Sequence, residues 1–188
     1  MSRLSTADIP DQTGRTFVIT GANAGLGLQS TRALTDAGAR VVMACRDAAR
    51  AEAARAALPH PDRAAVVSLD LADLDSVRAA GETLVGERPD VLINNAGLMN
   101  IPQARTAQGH EMQFGVNVLG HFALTEMLVP TLTDRVVWLG SLMHRIGTID
   151  PDDLNWDRRR YSPMQVYGAS KLACIMLAYE QQRRLDAE

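Results

Sequence analysis

Residues 16–27 read Thr-Phe-Val-Ile-Thr-Gly-Ala-Asn-Ala-Gly-Leu-Gly, a β-rich run that passes directly into a glycine-rich turn. The following stretch, 28–37, contains no helix breaker and ends before a glycine, which predicts a helix. The glycines of such a turn permit a tight bend, a close approach of the backbone to a pyrophosphate, and packing of the helix on the strand. The free N–H groups at the start of the helix attract phosphate. The stretch therefore predicts a dinucleotide-binding turn.

The predicted cofactor contacts of this turn are Thr20, Gly21, Asn23, Ala24, Gly25, Leu26 and Gly27. The spacing is Thr-Gly-x-x-x-Gly-x-Gly, and no Gly-Lys-Ser/Thr follows, so a P-loop nucleotide triphosphatase is not indicated.

The same strand-then-helix alternation continues along the chain. The predicted strands are 16–20, 40–45, 64–69, 90–93 and 135–139, and the predicted helices are 28–37, 47–58, 74–85, 109–129 and 162–185. Short strands that alternate with longer helices are typical of βαβ units and a parallel sheet. We therefore predict an α/β fold, a Rossmann-like doubly wound parallel sheet with helices on both faces, in one domain over residues 1–188.

Composition excludes several classes of function. The chain has 188 residues, 46% hydrophobic and 22% charged, with a net charge of −3, which gives no reason to expect nucleic-acid binding. Residues 1–15 lack an apolar signal core, and no apolar run approaches the ~20 residues of a membrane helix. Four histidines and two isolated cysteines show no metal-ligand spacing. We expect a cytoplasmic protein with no membrane span and no metal.

The end of the second strand indicates which cofactor is bound. NAD-binding folds usually place an acid here for the ribose 2′-hydroxyl, but this strand ends in Cys45-Arg46. An arginine can pair with a 2′-phosphate, which favours NADP, although Arg46 as a solvated loop residue stays an alternative. Asp47 is expected to cap the next helix. Asp70, after the third strand, is either an adenine contact or a turn residue.

Tyr167 and Lys171 lie four residues apart in the last predicted helix and so share one face of it. A nearby ammonium favours the phenolate, which makes a tyrosine a more effective acid or base. Alone, such a pair is weak evidence, because two polar residues on a helix are usually a solvated face.

Taken together, the motifs resemble the short-chain dehydrogenase/reductase family, and the retinol dehydrogenase and WW-domain oxidoreductase branch within it. The matching residues are Thr20-Gly21-x-x-x-Gly25-x-Gly27, Asp70-Leu71, Asn94-Asn95-Ala96-Gly97, Asn117, Ser141 and Tyr167-x-x-x-Lys171. Branch strings are 44–47 (Ala-Cys-Arg-Asp), 113–122 and 153–155.

The resemblance implies an NADP-dependent oxidoreductase that interconverts an alcohol and a carbonyl. Tyr167 is the implied general acid/base, Lys171 assists it and binds the nicotinamide ribose, and Ser141 holds the substrate oxygen. Asn117 is implied to anchor a water that links Lys171 to solvent. The further implied cofactor contacts are Arg46, Asp70, Leu71, Asn94, Ala96, Gly97, Tyr167 and Lys171.

Two expectations concern what surrounds this site. The family normally continues with two more strands and a substrate-covering segment, so we expect these 188 residues to bind cofactor but to turn over slowly. A non-catalytic NADP-binding or scaffold protein with an incomplete substrate site is the alternative. The predicted helices 109–129 and 162–185 are apolar on more than one stripe, which predicts a homodimer, with deep burial inside one subunit as the other explanation.

Overall fold

Five parallel strands form one sheet in the order β3-β2-β1-β4-β5 in this computed structural model. The strands are β1 (Thr16–Thr20), β2 (Arg40–Cys45), β3 (Ala64–Ser68), β4 (Val91–Asn94) and β5 (Arg135–Trp138). The structure describes residues 5–187, so the first four residues of the polar start, and the last residue, lie outside it. The strand order reverses between β1 and β4, which is where open α/β sheets bind ligands.

Helices connect the strands and cover both sheet faces, which confirms the predicted doubly wound α/β fold. They are α1 (Gly25–Asp36), α2 (Ala48–Ala56), α3 (Leu74–Gly86), α4 (Met112–Phe114), a π-helical segment (Gly115–Gly120), α5 (His121–Leu128) and α6 (Pro163–Leu185). No helix among the described residues combines the length and apolar character needed to span a membrane.

The side chains of the strands alternate between two hydrophobic clusters, one on each face of the sheet. In β1, Phe17 and Ile19 join a cluster with β2 and the helices α1 and α2, whereas Val18 packs with α3 and α5 on the other face. Successive strand residues point to opposite faces, and helices cover both, so the three central residues of β1 are all apolar. Leu92 and Leu124 are fully buried in the second of these clusters.

The long helix expected over 109–129 differs from the structure at its start. Gly109 adopts φ +83° in a turn, and the helix begins only at Met112, where the Glu111 carboxylate accepts a 2.6 Å bond from the Phe114 N–H. A carboxylate at that position satisfies a free N–H of the first turn, which is why the helix starts there. Its middle is π-helical, a geometry that recurs at functional sites.

Other boundaries differ by smaller amounts. Helix α1 begins at Gly25, three residues before the predicted start, so two glycines of the turn lie in its first turn. Strand β4 extends to Asn94, which places that residue in the sheet. Asp47 caps α2 as predicted, because its carboxylate accepts a 2.9 Å bond from the Arg50 N–H.

A buried polar network links β1, the loop after β4, and the helical layer. The Thr20 hydroxyl oxygen accepts bonds from the N–H groups of Asn95 (3.0 Å) and Ala96 (2.9 Å). The same oxygen lies 2.8 Å from Nε2 of His121, whose Nδ1 lies 3.0 Å from the carbonyl oxygen of Asn117. Thr20 and His121 are both buried, so these bonds are shielded from water.

The partners determine the state of the His121 ring. A carbonyl oxygen only accepts, so Nδ1 carries the proton, and the neutral ring then accepts at Nε2 from the Thr20 hydroxyl. The other acceptor for that hydroxyl, the Ile93 carbonyl, is 3.5 Å away. Burial lowers the pKa of His121 to about 4, helped by the charge of Lys171 and opposed by the bond to Asn117.

This network predicts a loss of stability at mildly acidic pH. Because the folded pKa of about 4 lies below the ordinary histidine value of 6.5, only the unfolded chain takes up a proton between these values. The free energy of unfolding should therefore fall as pH drops through that window, by about 2 kcal/mol between pH 7 and pH 5. Urea denaturation at the two pH values measures the change.

Substitution of His121 itself tests this assignment, and substitution of an exposed histidine is the control. His121→Gln should remove most of the pH-dependent fall, whereas His60→Gln, at a side chain 42% exposed, should keep it. An equal fall in wild type and His121→Gln would contradict the assignment.

Candidate active site

A cavity of about 600 Å³ opens at the carboxyl ends of β1, β2, β3, β4 and β5, at the point where the strand order reverses. Its wall is formed by Gly21, Asn23, Ala24, Leu26, Ala44, Arg46, Asp47, Arg50, Leu69, Asp70, Leu71, Asn95, Ala96, Gly97, Leu98, Met99, Val116, Leu139, Gly140, Tyr167 and Lys171. Most of the sequence-predicted site residues therefore meet around one space.

The glycine-rich turn forms one side of the cavity without any side chain that would obstruct it. Gly21 and Gly25 adopt φ +65° and +54°, which other residues rarely do, and Gly25 has open space where a Cβ would be. A Cβ on Gly27 would lie 2.5 Å from the Gly21 carbonyl oxygen and 2.6 Å from Nδ2 of Asn95. The turn is thus open at Gly25, where it forms a cradle, and closely packed at Gly27.

Two polar residues predicted to contact the cofactor lie buried beside the cavity. Thr20 holds the backbone of the Asn95–Ala96 loop, as described above, and is not part of the wall. Asn94 ends β4, is 2% exposed, and donates a 2.9 Å bond from Nδ2 to the Thr125 hydroxyl. Their geometry gives them a role in supporting the wall from behind.

The end of the cavity formed by β2 and α2 is basic. Arg46 and Arg50 are both exposed and both line the wall. The Asp47 carboxylate between them is engaged by the Arg50 N–H. At β3, Asp70 lines the wall and its carboxylate also accepts a 2.9 Å bond from the Ala72 N–H, so it is at once a cavity residue and a turn residue.

Tyr167 and Lys171 lie one turn apart on α6 at the far end of the cavity. The Lys171 ammonium is 5.9 Å from the centroid of the Tyr167 ring and donates a 2.8 Å bond to the carbonyl oxygen of Leu139. Lys171 is only 6% exposed. Burial lowers the pKa of Lys171, and the nearby Cys174 thiol acts in the opposite direction.

Ser141 follows Leu139 and Gly140, which line the cavity, and it caps the 3-10 helix Leu142–Ile146. Its hydroxyl oxygen accepts a 3.2 Å bond from the Met143 N–H. That bond uses a lone pair and leaves the hydroxyl proton available to donate. The arrangement suits a group that offers a hydrogen bond to a substrate oxygen.

Asn117 is buried and clamps two segments together. Its side-chain amide pairs with the peptide of Leu98, accepting from the N–H (2.8 Å) and donating to the carbonyl (2.9 Å). The same Nδ2 donates a 2.9 Å bond to the Ser170 hydroxyl on α6. The Asn117 carbonyl already receives the His121 ring N–H and the Cys174 thiol. Its amide is thus occupied by protein groups, and the water expected on Asn117 stays a prediction.

Several wall residues were not predicted from sequence. They are Ala44, Asp47, Arg50, Leu69, Asn95, Leu98, Met99, Val116, Leu139 and Gly140. Arg50 could have been chosen from the sequence, because it lies three residues after Asp47 and residues at that spacing share one face of a helix. Among residues 5–187 there is no cluster of three His, Cys, Asp or Glu side chains placed to hold a metal ion.

Comparison with known proteins identifies the family. The family model described as short chain dehydrogenase matches residues 15–143. The chain belongs to the short-chain dehydrogenase family. It is 44% identical over 193 residues to human retinol dehydrogenase 13, covering 97% of this chain but only 57% of that protein. The chain thus spans little more than half the length of this relative.

Two solved structures of similar proteins extend the comparison. One, described as a putative uncharacterized protein from Mycobacterium paratuberculosis, has a TM-score of 0.95 and 49% identity, and covers 99% of this chain and 68% of that one. The other is an active-site complex of RhlG with NADP from Pseudomonas aeruginosa, with a TM-score of 0.74 and 26% identity, and covers 94% of this chain and 71% of that one.

The clamp made by Asn117 gives a stability prediction. Asn117→Ala leaves the N–H and C=O of Leu98 without their partner, so the free energy of unfolding should fall by about 2–4 kcal/mol. Ser170→Ala removes only one of the amide's bonds and should cost about 1 kcal/mol. Denaturant unfolding of both variants checks the order, and equal losses would contradict the clamp.

Proposed function

We propose that this protein is an NADP(H)-dependent oxidoreductase that interconverts an alcohol and a carbonyl, with Tyr167 as the general acid/base. The observation that carries the proposal is the placement of Tyr167 and Lys171 at one end of a cavity whose other end is a glycine cradle beside two arginines. The family, and the relative named retinol dehydrogenase 13, support the same reaction class.

The shape of the cavity fits a dinucleotide. The glycine turn leaves space for a pyrophosphate, since Gly25 has no neighbour within 4 Å of an ideal Cβ. The helix α1 starts at this turn and directs free N–H groups toward it. Ala96 and Gly97, from the loop after β4, extend the wall toward Lys171. A bound nicotinamide cofactor supplies the hydride, and the protein residues orient the reactants.

The residues at the far end supply the rest of the chemistry. Negative charge develops on the carbonyl oxygen as reduction proceeds, and donors already aimed at that oxygen stabilise the transition state. We assign the Ser141 hydroxyl as one such donor and the Tyr167 hydroxyl as the group that transfers its proton to the oxygen. Lys171, held by the Leu139 carbonyl, stabilises the phenolate that remains and binds the nicotinamide ribose. The reverse sequence oxidises an alcohol.

The preference for NADP rests on the charges at the β2 end. Arg46 is joined there by Arg50, so two guanidinium groups are available for a 2′-phosphate. The acid that might otherwise take a ribose hydroxyl, Asp47, is engaged with the Arg50 N–H. The similar RhlG protein, solved as a complex with NADP, agrees with this preference.

The substrate and the assembly are further parts of the proposal. We propose an apolar alcohol or carbonyl compound, in line with the retinol dehydrogenase relative. The proposed homodimer surface is centred on α6, where Met176 and Tyr179 are 55% and 76% exposed. The apolar residues of the 109–129 region contribute less, because Phe114 and Leu124 are buried within this chain.

The cofactor assignment predicts a selective loss of binding. Arg46→Ala should weaken NADPH binding about 10- to 100-fold and leave NADH binding nearly unchanged, because the guanidinium bonds only to the 2′-phosphate. Arg50→Ala should have a smaller effect in the same direction. Fluorescence titration measures both, with Arg78→Ala as the control, an arginine with a 69% exposed side chain on α3. A wild-type preference for NADH would overturn the assignment.

The chemical role of Tyr167 gives the experiment that tests the proposed function. Tyr167→Phe removes the proton donor, so kcat for carbonyl reduction should fall about 10²- to 10⁴-fold while NADPH affinity stays close to wild type. Lys171→Ala should impair both, because one cation serves the phenol and the ribose. Tyr179→Phe, on the same helix but 76% exposed, is the matched control. Near-full turnover by Tyr167→Phe would eliminate the acid/base role.

A further inference from the structure

We infer that Gly147 and Gly168 are positioning residues that set the spacing between Ser141 and Tyr167, an inference that rests on the proposed function. Gly168 directly follows Tyr167 on α6, and Gly147 directly follows the 3-10 helix that Ser141 caps. The contact between these two glycines therefore joins the two segments that carry the substrate-facing hydroxyl groups.

The contact brings backbone against backbone. A Cβ on Gly147 would overlap the Gly168 carbonyl oxygen and lie 2.5 Å from its carbonyl carbon and 2.7 Å from the Ala169 nitrogen. A Cβ on Gly168 would lie 2.7 Å from the Met143 carbonyl oxygen and 3.1 Å from the Gly147 nitrogen. Cγ1 of the Ile146 side chain, at 3.0 Å from the Gly168 position, is the only side-chain atom among these nearest neighbours, and the shorter contacts are all to backbone atoms that cannot turn away. Any side chain at either position must therefore move the loop off the helix.

The loop is stiff enough to pass that movement on to Ser141. The His144 N–H and ring Nδ1 both bond the Ser141 carbonyl, at 3.1 Å and 2.6 Å, and the Gly147 N–H bonds the His144 carbonyl at 3.1 Å. Ser141 also receives the Met143 N–H on its hydroxyl. These bonds connect 141–147 as one unit, so a displacement at Gly147 reaches Ser141.

Displacement of this kind has a specific kinetic consequence. Ser141 and Tyr167 donate to the same substrate oxygen in the proposed reaction, so both must point at one place. A misplacement of about 1 Å can cost about 100-fold in rate even when binding is preserved. The glycine turn and the two arginines lie at the other end of the cavity, so cofactor binding should be spared.

The test measures single-turnover carbonyl reduction with NADPH already bound, in wild type, Gly147→Ala and Gly168→Ala. Each variant should reduce the rate about 10- to 100-fold while the Kd for NADPH changes less than about threefold. Gly86→Ala in α3 is the control, because a Cβ there meets nothing within 4 Å and the rate should not change. Loss of NADPH binding in both site variants would indicate a general folding role and overturn the inference.

A double-mutant cycle separates positioning from general structural damage. If Gly147 acts through Ser141, then Gly147→Ala should slow a Ser141→Ala protein far less than it slows wild type. Independent, multiplicative effects would overturn the inference. A wild-type protein that reduces no carbonyl would mean that the proposed function itself fails. A wild type that turns over alongside an equally active Gly147→Ala protein would refute only the glycine contact.

Discussion

The Thr20 hydroxyl group links the loop after β4, which forms part of the cavity wall, to the buried core. The Thr20 oxygen accepts from the N–H groups of Asn95 and Ala96, and its own proton goes to the neutral His121 ring. Because the neutral ring accepts the Thr20 proton, both lone pairs of the Thr20 oxygen remain for the N–H groups of the loop after β4. Thr20 and His121, which are buried and do not line the cavity, therefore support its wall at Asn95 and Ala96.

Asn117 is a second buried polar residue whose hydrogen bonds join separate segments. Asparagine is a poor helix former, yet here it is buried in the π-helical segment. Its side-chain amide is the hydrogen-bond partner of both the N–H and the C=O of Leu98, and a third bond from this amide reaches Ser170 on the helix that carries Tyr167. One side chain in the π-helical segment thus holds the Leu98 backbone and α6 together. An apolar residue would pack there but could not join them.

The sheet could be predicted from sequence because strands and helices alternate along the whole chain, and the glycine turn because its spacing lies within one short segment. The Tyr167–Lys171 pair was chosen from its spacing together with the other motifs. Sequence reasoning could not tell that Thr20 and Asn94 are buried behind the wall, since a motif names positions, whereas burial and hydrogen-bond partners depend on the folded chain. Arg50 and Asn95 were missed although their neighbours were chosen. His121 entered only through its place in a family-like string, because burial and bonding partners are properties of the folded chain.

Two kinds of force hold the wall of the cavity, and they respond differently to substitution. Hydrogen bonds such as those of Thr20 and Asn117 weaken gradually as atoms move apart, whereas the repulsion between touching backbones at Gly147 and Gly168 rises steeply. The contact between Gly147 and Gly168 therefore fixes a distance within narrow limits, as the close packing of Gly27 on Gly21 does in the glycine-rich turn. Between Ser141 and Gly147, the side chains of Leu142 and Ile146 are 76% and 48% exposed. Cγ1 of Ile146 would lie 3.0 Å from a Cβ on Gly168, so this side chain is part of the contact that holds the Ser141 loop against the helix carrying Tyr167.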